Sequence, residues 1–312
     1  MLTYTTLQDR PREFLAATGL THEEFARLLP AFATAYAIRY PPDKTWQGKV
    51  RQRQRGGGAA GSLPQMEDKL FFILVYQKTN PLQTMHGLQF ELSQPQSHYW
   101  IHHLLPVLQR ALAALGMAPE RDASPLALEG APDGVIDGTE RRRQRPTNAT
   151  KQKEQYSGKK KTHTDKNLVL INAHTTKVIY LGPTVAGKTH DKKAADDTPI
   201  RYPTNATLGK DTGFQGYEPA GVRTQQPKKK PRGQELSVAD KFFNRLISSA
   251  RVVVENVLAG VKRCRIVKDV FRLTTGGLSD LVMEIACGLH NLRVSCRHPF
   301  PTFDVRSLLS SA

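Results

Sequence analysis

Three carboxylates stand where chemistry on hard-oxygen substrates could be done. The apolar run 134–140, GVIDGTE, reads as a short strand ending in Asp137. The run 206–219 reads as another strand, leading into Asp211 and a glycine-flanked turn. Glu255 lies on a helical stretch, 245–268, between two cations. Adjacent strand ends can bring two carboxylates to one edge of a sheet, and a helix packed on that sheet can supply a third. Three such ligands suit Mg²⁺ or Mn²⁺, which keep several waters for a substrate phosphate. Two ions about 4 Å apart would activate a nucleophile and stabilise the leaving 3′ oxygen of an in-line displacement. Taken singly, each carboxylate fits an ordinary turn or helix surface as well.

The helix is the element that must present Glu255. Arg251, Glu255 and Lys262 fall within about 60° of arc at 100° per residue. Val254, Leu258 and Val261 form the neighbouring apolar stripe, so one edge buries and the other shows a carboxylate flanked by cations. Surface charge pairing would give the same pattern. The strands come from the region 133–217. Runs 167–174 and 177–185 read as a hairpin turning at Thr175 and Thr176. The run 189–197 starts a helix. This order predicts an α/β fold, a mixed central sheet flanked by helices. Between the first two strands, residues 141–166 are heavily basic and turn-rich. Residues 225–234, QQPKKKPRGQ, read as a solvated basic loop.

The N-terminal part is all-α. Gly19 breaks a first helix, and Thr21 with Glu24 forms a capping box before the face made by Phe25, Leu28, Leu29 and Phe32. Residues 44–62 read as a basic, glycine-rich linker. Pro64 opens a helix that is apolar nearly all round over 70–77, and so buried. Gly87 breaks the short segment that follows, and Ser93 caps a long helix. Buried helix, short helix, turn and polar-fronted helix match a helix-turn-helix. In that reading Gln94, Gln96, Ser97, His98 and Tyr99 face a DNA groove. The domain bounds are therefore 1–62 (helical segment and linker), 63–120 (helix-turn-helix), 131–298 (α/β domain) and 299–312 (tail). The last includes a helix at 278–294.

Composition favours a polyanionic partner: 45 Lys+Arg stand against 28 Asp+Glu, a net charge of +17. An anionic membrane surface would also attract such a chain. No run of 18 apolar residues exists to span a bilayer, and the N-terminus lacks a secretory layout. Cys264, Cys287 and Cys296 have neither disulfide-framework nor zinc-ligand spacing, which points to a reducing compartment.

Together these residues carry a resemblance. Residues 63–298 resemble a DDE-class insertion-sequence transposase, of the insertion-sequence-five group. That family has an RNase H-like catalytic domain. It places its first Asp in a VIDGT-type strand end, as at Asp137, and its second before a Gly-aromatic-x-Gly turn, as in KDTGFQG at Asp211. Its last motif is Tyr, two residues, Arg, three residues, Glu, six residues, Lys. Arg251, Glu255 and Lys262 match it, while Ser248 stands in the tyrosine position. YSGKKKTHT (156–164) and GKTHD (187–191) are similar to further family segments. The resemblance implies that Asp137, Asp211 and Glu255 are catalytic metal ligands for Mg²⁺ or Mn²⁺. It implies that Arg251 and Lys262 touch phosphate, and that Lys159, Lys160 and Lys161 lie along DNA. His190 and Asp191 could approach the metal, with a helix cap as the other role for Asp191. Glu284 is a lesser rival third carboxylate, and Glu140 is set aside because it would point to the face opposite Asp137 or lie beyond the strand. The implied activity is binding of terminal inverted repeats, hydrolysis at the element ends and transfer of the 3′-OH ends to target DNA. The implied protein is a homodimer on double-stranded DNA in the prokaryotic cytoplasm, nucleoid-associated and away from membranes. A non-catalytic DNA-binding relative and a metal-dependent nuclease without strand transfer are the alternatives.

Overall fold

The computed structural model describes residues 1–44, 48–52, 62–122, 133–198, 200–203, 205–228, 230, 233 and 235–297, without the side chains of residues 243, 246 and 248–251. Most of the linker at 44–62, part of the basic loop at 225–234 and the tail at 299–312 lie outside the described residues. The chain forms two compact units.

The helical unit begins with α1 (Tyr4–Leu7), α2 (Pro11–Thr18) and α3 (His22–Arg39). Gly19 ends α2 in the left-handed conformation, φ 76°. Two residues later the Thr21–Glu24 capping box starts α3, satisfying two of the N–H groups a helix start leaves orphaned. α4 (Met66–Thr79) is buried on every side from Lys69 to Gln77, as its unbroken apolar run requires. Phe14 packs on Phe25 and Phe71, joining α2, α3 and α4. α5 (Gln83–Gln89) and α6 (Gln94–Ala114) complete the helix-turn-helix.

Gly87 does not break α5, contrary to its sequence reading; it lies inside the helix. Its smallness is needed because the turn into α6 folds back on it. A Cβ there would stand 2.5 Å from the Leu92 carbonyl oxygen. The Gly87 carbonyl accepts the N–H groups of Phe90 and Leu92, which closes that turn.

The α/β unit holds β1 (Asp133–Arg142), α7 (Ala149–Gln155), β2 (Tyr156–Ser157), β3 (Thr162–Asn172), β4 (Val178–Leu181), β5 (Val185–Ala186), α8 (Asp191–Asp196), β6 (Thr207–Lys210), β7 (Arg223–Gln225) and α9 (Val238–Val261). The strand order is β2-β3-β1-β6-β7, with β4 and β5 also on β3. β3 runs antiparallel to β1, while β6 and β7 run parallel to it. This mixed sheet, with helices beside it, is the RNase H-like arrangement.

Several local expectations change. β3 starts at Thr162, and α7 and β2 lie within the stretch read as turns. The hairpin after β3 is wider than two residues: Asn172 Oδ1 accepts the N–H groups of His174 and Thr175, and Thr176 turns at φ 56°. The helix carrying Glu255 begins earlier and ends at Val261, with Lys262 as its C-cap. The chain then buries Ile266 and Val267 through a 3₁₀ turn, Arg265–Val267. Of the final helix, α10 (Leu278–Arg297), the residues as far as Arg293 fall in the helical unit. Residues 1–44 likewise share one unit with the helix-turn-helix. No helix among the described residues is long and apolar enough to cross a membrane.

Candidate active site

Strand register brings the two aspartates together. In the parallel pair β1–β6, Ile136 lies beside Lys210 as the last partnered residues. The next residues on each strand are Asp137 and Asp211. Asp137 is not the end of its strand, as the sequence suggested, because β3 continues to pair with β1 through Arg142. It marks instead the point where β6 stops pairing. There the chain turns away from Asp211 into a 3₁₀ turn, Thr212–Phe214.

Each aspartate is aimed by the amide that follows it. The Gly138 N–H donates to Asp137 Oδ1 at 2.7 Å, and the Thr212 N–H donates to Asp211 Oδ1 at 2.7 Å. Strand alternation puts Ile136, Gly138 and Glu140 on one face of β1 and Val135 and Asp137 on the other. The first face carries the core with Leu168, Leu170, Ala195 and Phe214. Asp137 faces the side that α9 covers, and Ile247 and Val254 of α9 are buried. Glu255, next to Val254, is exposed. Asp137, Asp211 and Glu255 line one pocket of ≈ 50 Å³, together with Val135, Gly209 and Ile247.

This donor set is all carboxylate oxygen, with no thiol or imidazole in the lining, and it suits a hard divalent cation that retains waters. Among the described residues, no three His, Cys, Asp or Glu side chains are gathered closely enough to hold an ion. The carboxylates thus share a pocket without closing a ligand cage.

Lys262 is half-buried, and burial holds its amine below the usual lysine range. Lys160 depresses it further, while Asp137 and Glu140 act in the opposite sense. Lys159, Lys160 and Lys161 are exposed in the turn before β3, with Lys161 at φ 54°. Arg251 and Ser248 fall within the span of α9, but their side chains lie outside the described residues.

On α6, Gln94, Gln96, His98 and Tyr99 are exposed. Gln96 also closes a capping box, its Oε1 accepting the Ser93 N–H at 2.9 Å. Ser97, whose polar type suggested a DNA-facing position, is 0% exposed and cannot line such a surface. It lies one turn before Ile101, at the i+4 spacing that puts both on the buried side of α6.

The structure separates the other candidates. Glu284 belongs to α10 in the helical unit, where Gln109 Nε2 donates to its Oε1 at 2.6 Å. Glu140 points to the face opposite Asp137 and accepts from Thr164 Oγ1 at 2.9 Å. His190, not Asp191, caps α8: its Nδ1 accepts the Lys192 N–H at 3.3 Å. Asp191 instead pairs with Lys166 at 2.8 Å.

The sequence reading does not single out the buried cations, Arg141 and Lys210 among them. Arg141 donates to Asn167 Oδ1 at 2.6 Å and Thr184 Oγ1 at 3.0 Å. Lys210, next to Asp211, donates to the Tyr217 carbonyl at 2.6 Å and to Glu218 Oε1 at 2.5 Å. Lys210 was readable in principle. It shares a strand face with Leu208 at period two, so a buried Leu208 implies a buried Lys210.

A helical helix-turn-helix region followed by a mixed-sheet α/β domain of RNase H-like arrangement defines the fold class. Comparison with known proteins agrees. Residues 136–291 match the family described as DDE superfamily endonuclease, and residues 61–114 match the helix-turn-helix of DDE superfamily endonuclease. The chain belongs to the DDE superfamily of endonucleases.

A relative from Microchaete diplosiphon, named as a transposase for insertion sequence element IS702, is 31% identical over 138 residues. That stretch is 44% of this chain, and it spans about half of the relative (49%). Another, from Streptomyces albus G and named as a transposase for insertion sequence element IS112, is 28% identical over 241 residues, 76% of this chain and 84% of the relative.

Proposed function

We propose that this protein is a DNA transposase that cuts the ends of an insertion sequence and joins them to target DNA. The observation that carries the reading is the convergence of Asp137, Asp211 and Glu255 on one pocket. The relatives' names agree with it. Asp137, Asp211 and Glu255 hold divalent cations, Mg²⁺ or Mn²⁺, which when bound supply Lewis-acid activation to the attacking and leaving oxygens. The protein's own part is positional. The Gly138 and Thr212 amides orient the two aspartates, and α9 sets Glu255 across from them. Lys262 and Lys160 add positive potential beside Asp137, where a scissile phosphate would lie.

The exposed residues Gln94, Gln96 and His98 at the start of α6 read the terminal inverted repeats. Lys159, Lys160, Lys161 and Arg251 bind along the backbone, so affinity falls steeply with salt. Both ends must be processed together, which calls for a homodimer on DNA. The setting of this activity is the prokaryotic cytoplasm, at the nucleoid.

The test pairs the full chain with Mg²⁺ and a labelled end duplex, comparing wild type with Glu255→Gln. Wild type nicks the end and joins it to a plasmid, while the variant binds the duplex and leaves it uncut. Nicking without a joined product would favour a metal-dependent nuclease. Binding without nicking by either protein, under Mg²⁺ or Mn²⁺, would favour a non-catalytic DNA-binding relative.

A further inference from the structure

A second polar cluster lies behind the paired aspartates. Asp191, the first residue of α8, is packed at once against β1 beside Asp137 and against the 3₁₀ turn after Asp211. A Cβ on Gly138 would stand 2.6 Å from Asp191 Oδ1, and one on Gly213 would stand 2.9 Å from Asp191 Oδ2. Gly138 directly follows Asp137, and Gly213 comes two residues after Asp211. One carboxylate therefore occupies the space that a side chain at either position would need.

Lys166 holds that carboxylate in place. Its Nζ donates to Asp191 Oδ1 at 2.8 Å and to the Thr189 carbonyl at 2.6 Å. Lys166 is the β3 residue paired with Glu140 of β1, and Glu140 Oε1 stands 3.9 Å from the same Nζ. The Lys166 and Glu140 side chains are 8% and 9% exposed. A buried ion pair contributes little net stability, because desolvation offsets most of the attraction. Its geometric effect is larger. It links β3, α8, Gly138 and Gly213 into one bridge, and the Gly138 and Thr212 amides are the groups that aim Asp137 and Asp211.

We infer that Asp191 and Lys166 are positioning residues that fix the spacing of Asp137 and Asp211 through the backbone at Gly138 and Gly213. The inference rests on the reading of those aspartates as the catalytic pair. Groups hydrogen-bonded directly to metal ligands alter metal affinity or activity by about 10- to 100-fold, and a group acting through the backbone falls at the low end of that range.

The experiment uses the full chain, Mn²⁺ alone as the first probe and the end duplex as the second. Asp191→Asn keeps the shape and removes the charge. It lowers Mn²⁺ affinity about tenfold and slows nicking at saturating duplex by a similar factor, leaving duplex affinity unchanged. In metal-free protein, hydrogen exchange at the Gly138 and Thr212 amides becomes faster. Lys166→Met acts in the same direction. Gly138→Ala also weakens Mn²⁺ binding, but adds no further loss in an Asp191→Ala background, where the colliding oxygen is gone.

Wild-type Mn²⁺ affinity and nicking in Asp191→Asn would overturn the inference while leaving the transposase reading intact. So would a joint fall of Mn²⁺ affinity, duplex affinity and unfolding midpoint, which marks support of the fold alone. A wild type that neither binds Mn²⁺ nor nicks would remove both.

Discussion

The interior around β1 and β3 and the interior of the helix-turn-helix treat buried polar groups differently. In the α/β unit the buried charges each meet a partner, while the neutral Thr139 hydroxyl of β1 has none at hydrogen-bond geometry among the described residues. Arg141 reaches Asn167 and Thr184, Lys210 reaches Tyr217 and Glu218, and Asp165 meets Arg143 at 2.7 Å. In the helix-turn-helix, Gln77, His86 and Ser97 are neutral polar groups at 0% exposure. Neither the side-chain amide of Gln77, the ring nitrogens of His86 nor the Ser97 hydroxyl has a partner at hydrogen-bond geometry among the described residues. Lys69 shows that the rule follows charge rather than location. Buried in the helical unit, its Nζ donates to the carbonyls of Leu63, Pro64 and Gln65.

The reason is the size of the penalty. An unpaired buried ion costs several kcal/mol, while an unpaired neutral group costs about 1–3 kcal/mol, which a well-packed core can absorb.

That contrast can be broken from either side. Arg141→Met should have the largest effect on stability. It strips a charged donor from Asn167 and Thr184 and should cost about 3 kcal/mol, read from urea unfolding of the full chain.

His86 should give a pH-dependent effect nearly as large. Burial lowers its pKa to about 4, and weak approaches of the Phe72 backbone and Gln89 offset only part of that. The folded pKa lies below the unfolded value of 6.5, so the unfolded state binds the extra proton first. Stability from this group is present above pH 6.5 and declines as pH falls towards 4, by up to about 3 kcal/mol. His86→Leu should flatten that part of the stability–pH curve relative to wild type.

Smaller effects of opposite sign should follow in the same core. Gln77→Met removes an unpartnered amide at similar volume and should stabilise by about 1 kcal/mol. Ser97→Ala should stabilise by about 0.5 kcal/mol, helped by higher helix propensity. It should leave end-duplex affinity unchanged, because Ser97 is buried. A loss of affinity in that variant would contradict the assignment of Ser97 to the core.

Some of this was legible in the residues alone. Capping at Thr21 and Ser93, the all-round burial of α4 and the apolar stripe of α9 follow from local periodicity and cap chemistry, which the fold preserves. Gly87 was misread because its constraint comes from Leu92 folding back in space, not from its own helix. The residue type of Ser97 suggests the polar face of α6. Its position, one turn from Ile101, puts it on the buried face.

The three carboxylates, their order, the cations around Glu255 and the helix that carries Glu255 can be read from the chain alone. Those are properties of residue type and short spacing. That Asp137 and Asp211 emerge side by side follows from the assembled sheet, because strand register between segments so far apart is set by packing and hydrogen bonding across it. The fold alone places Asp191 behind the strand at Gly138 and the turn at Gly213, since α8 reaches both only once β1, β3 and β6 have assembled. It also drew α10 up to Arg293 into the helical unit. An amphipathic helix announces that one face will be buried, and its sequence leaves open which core buries it.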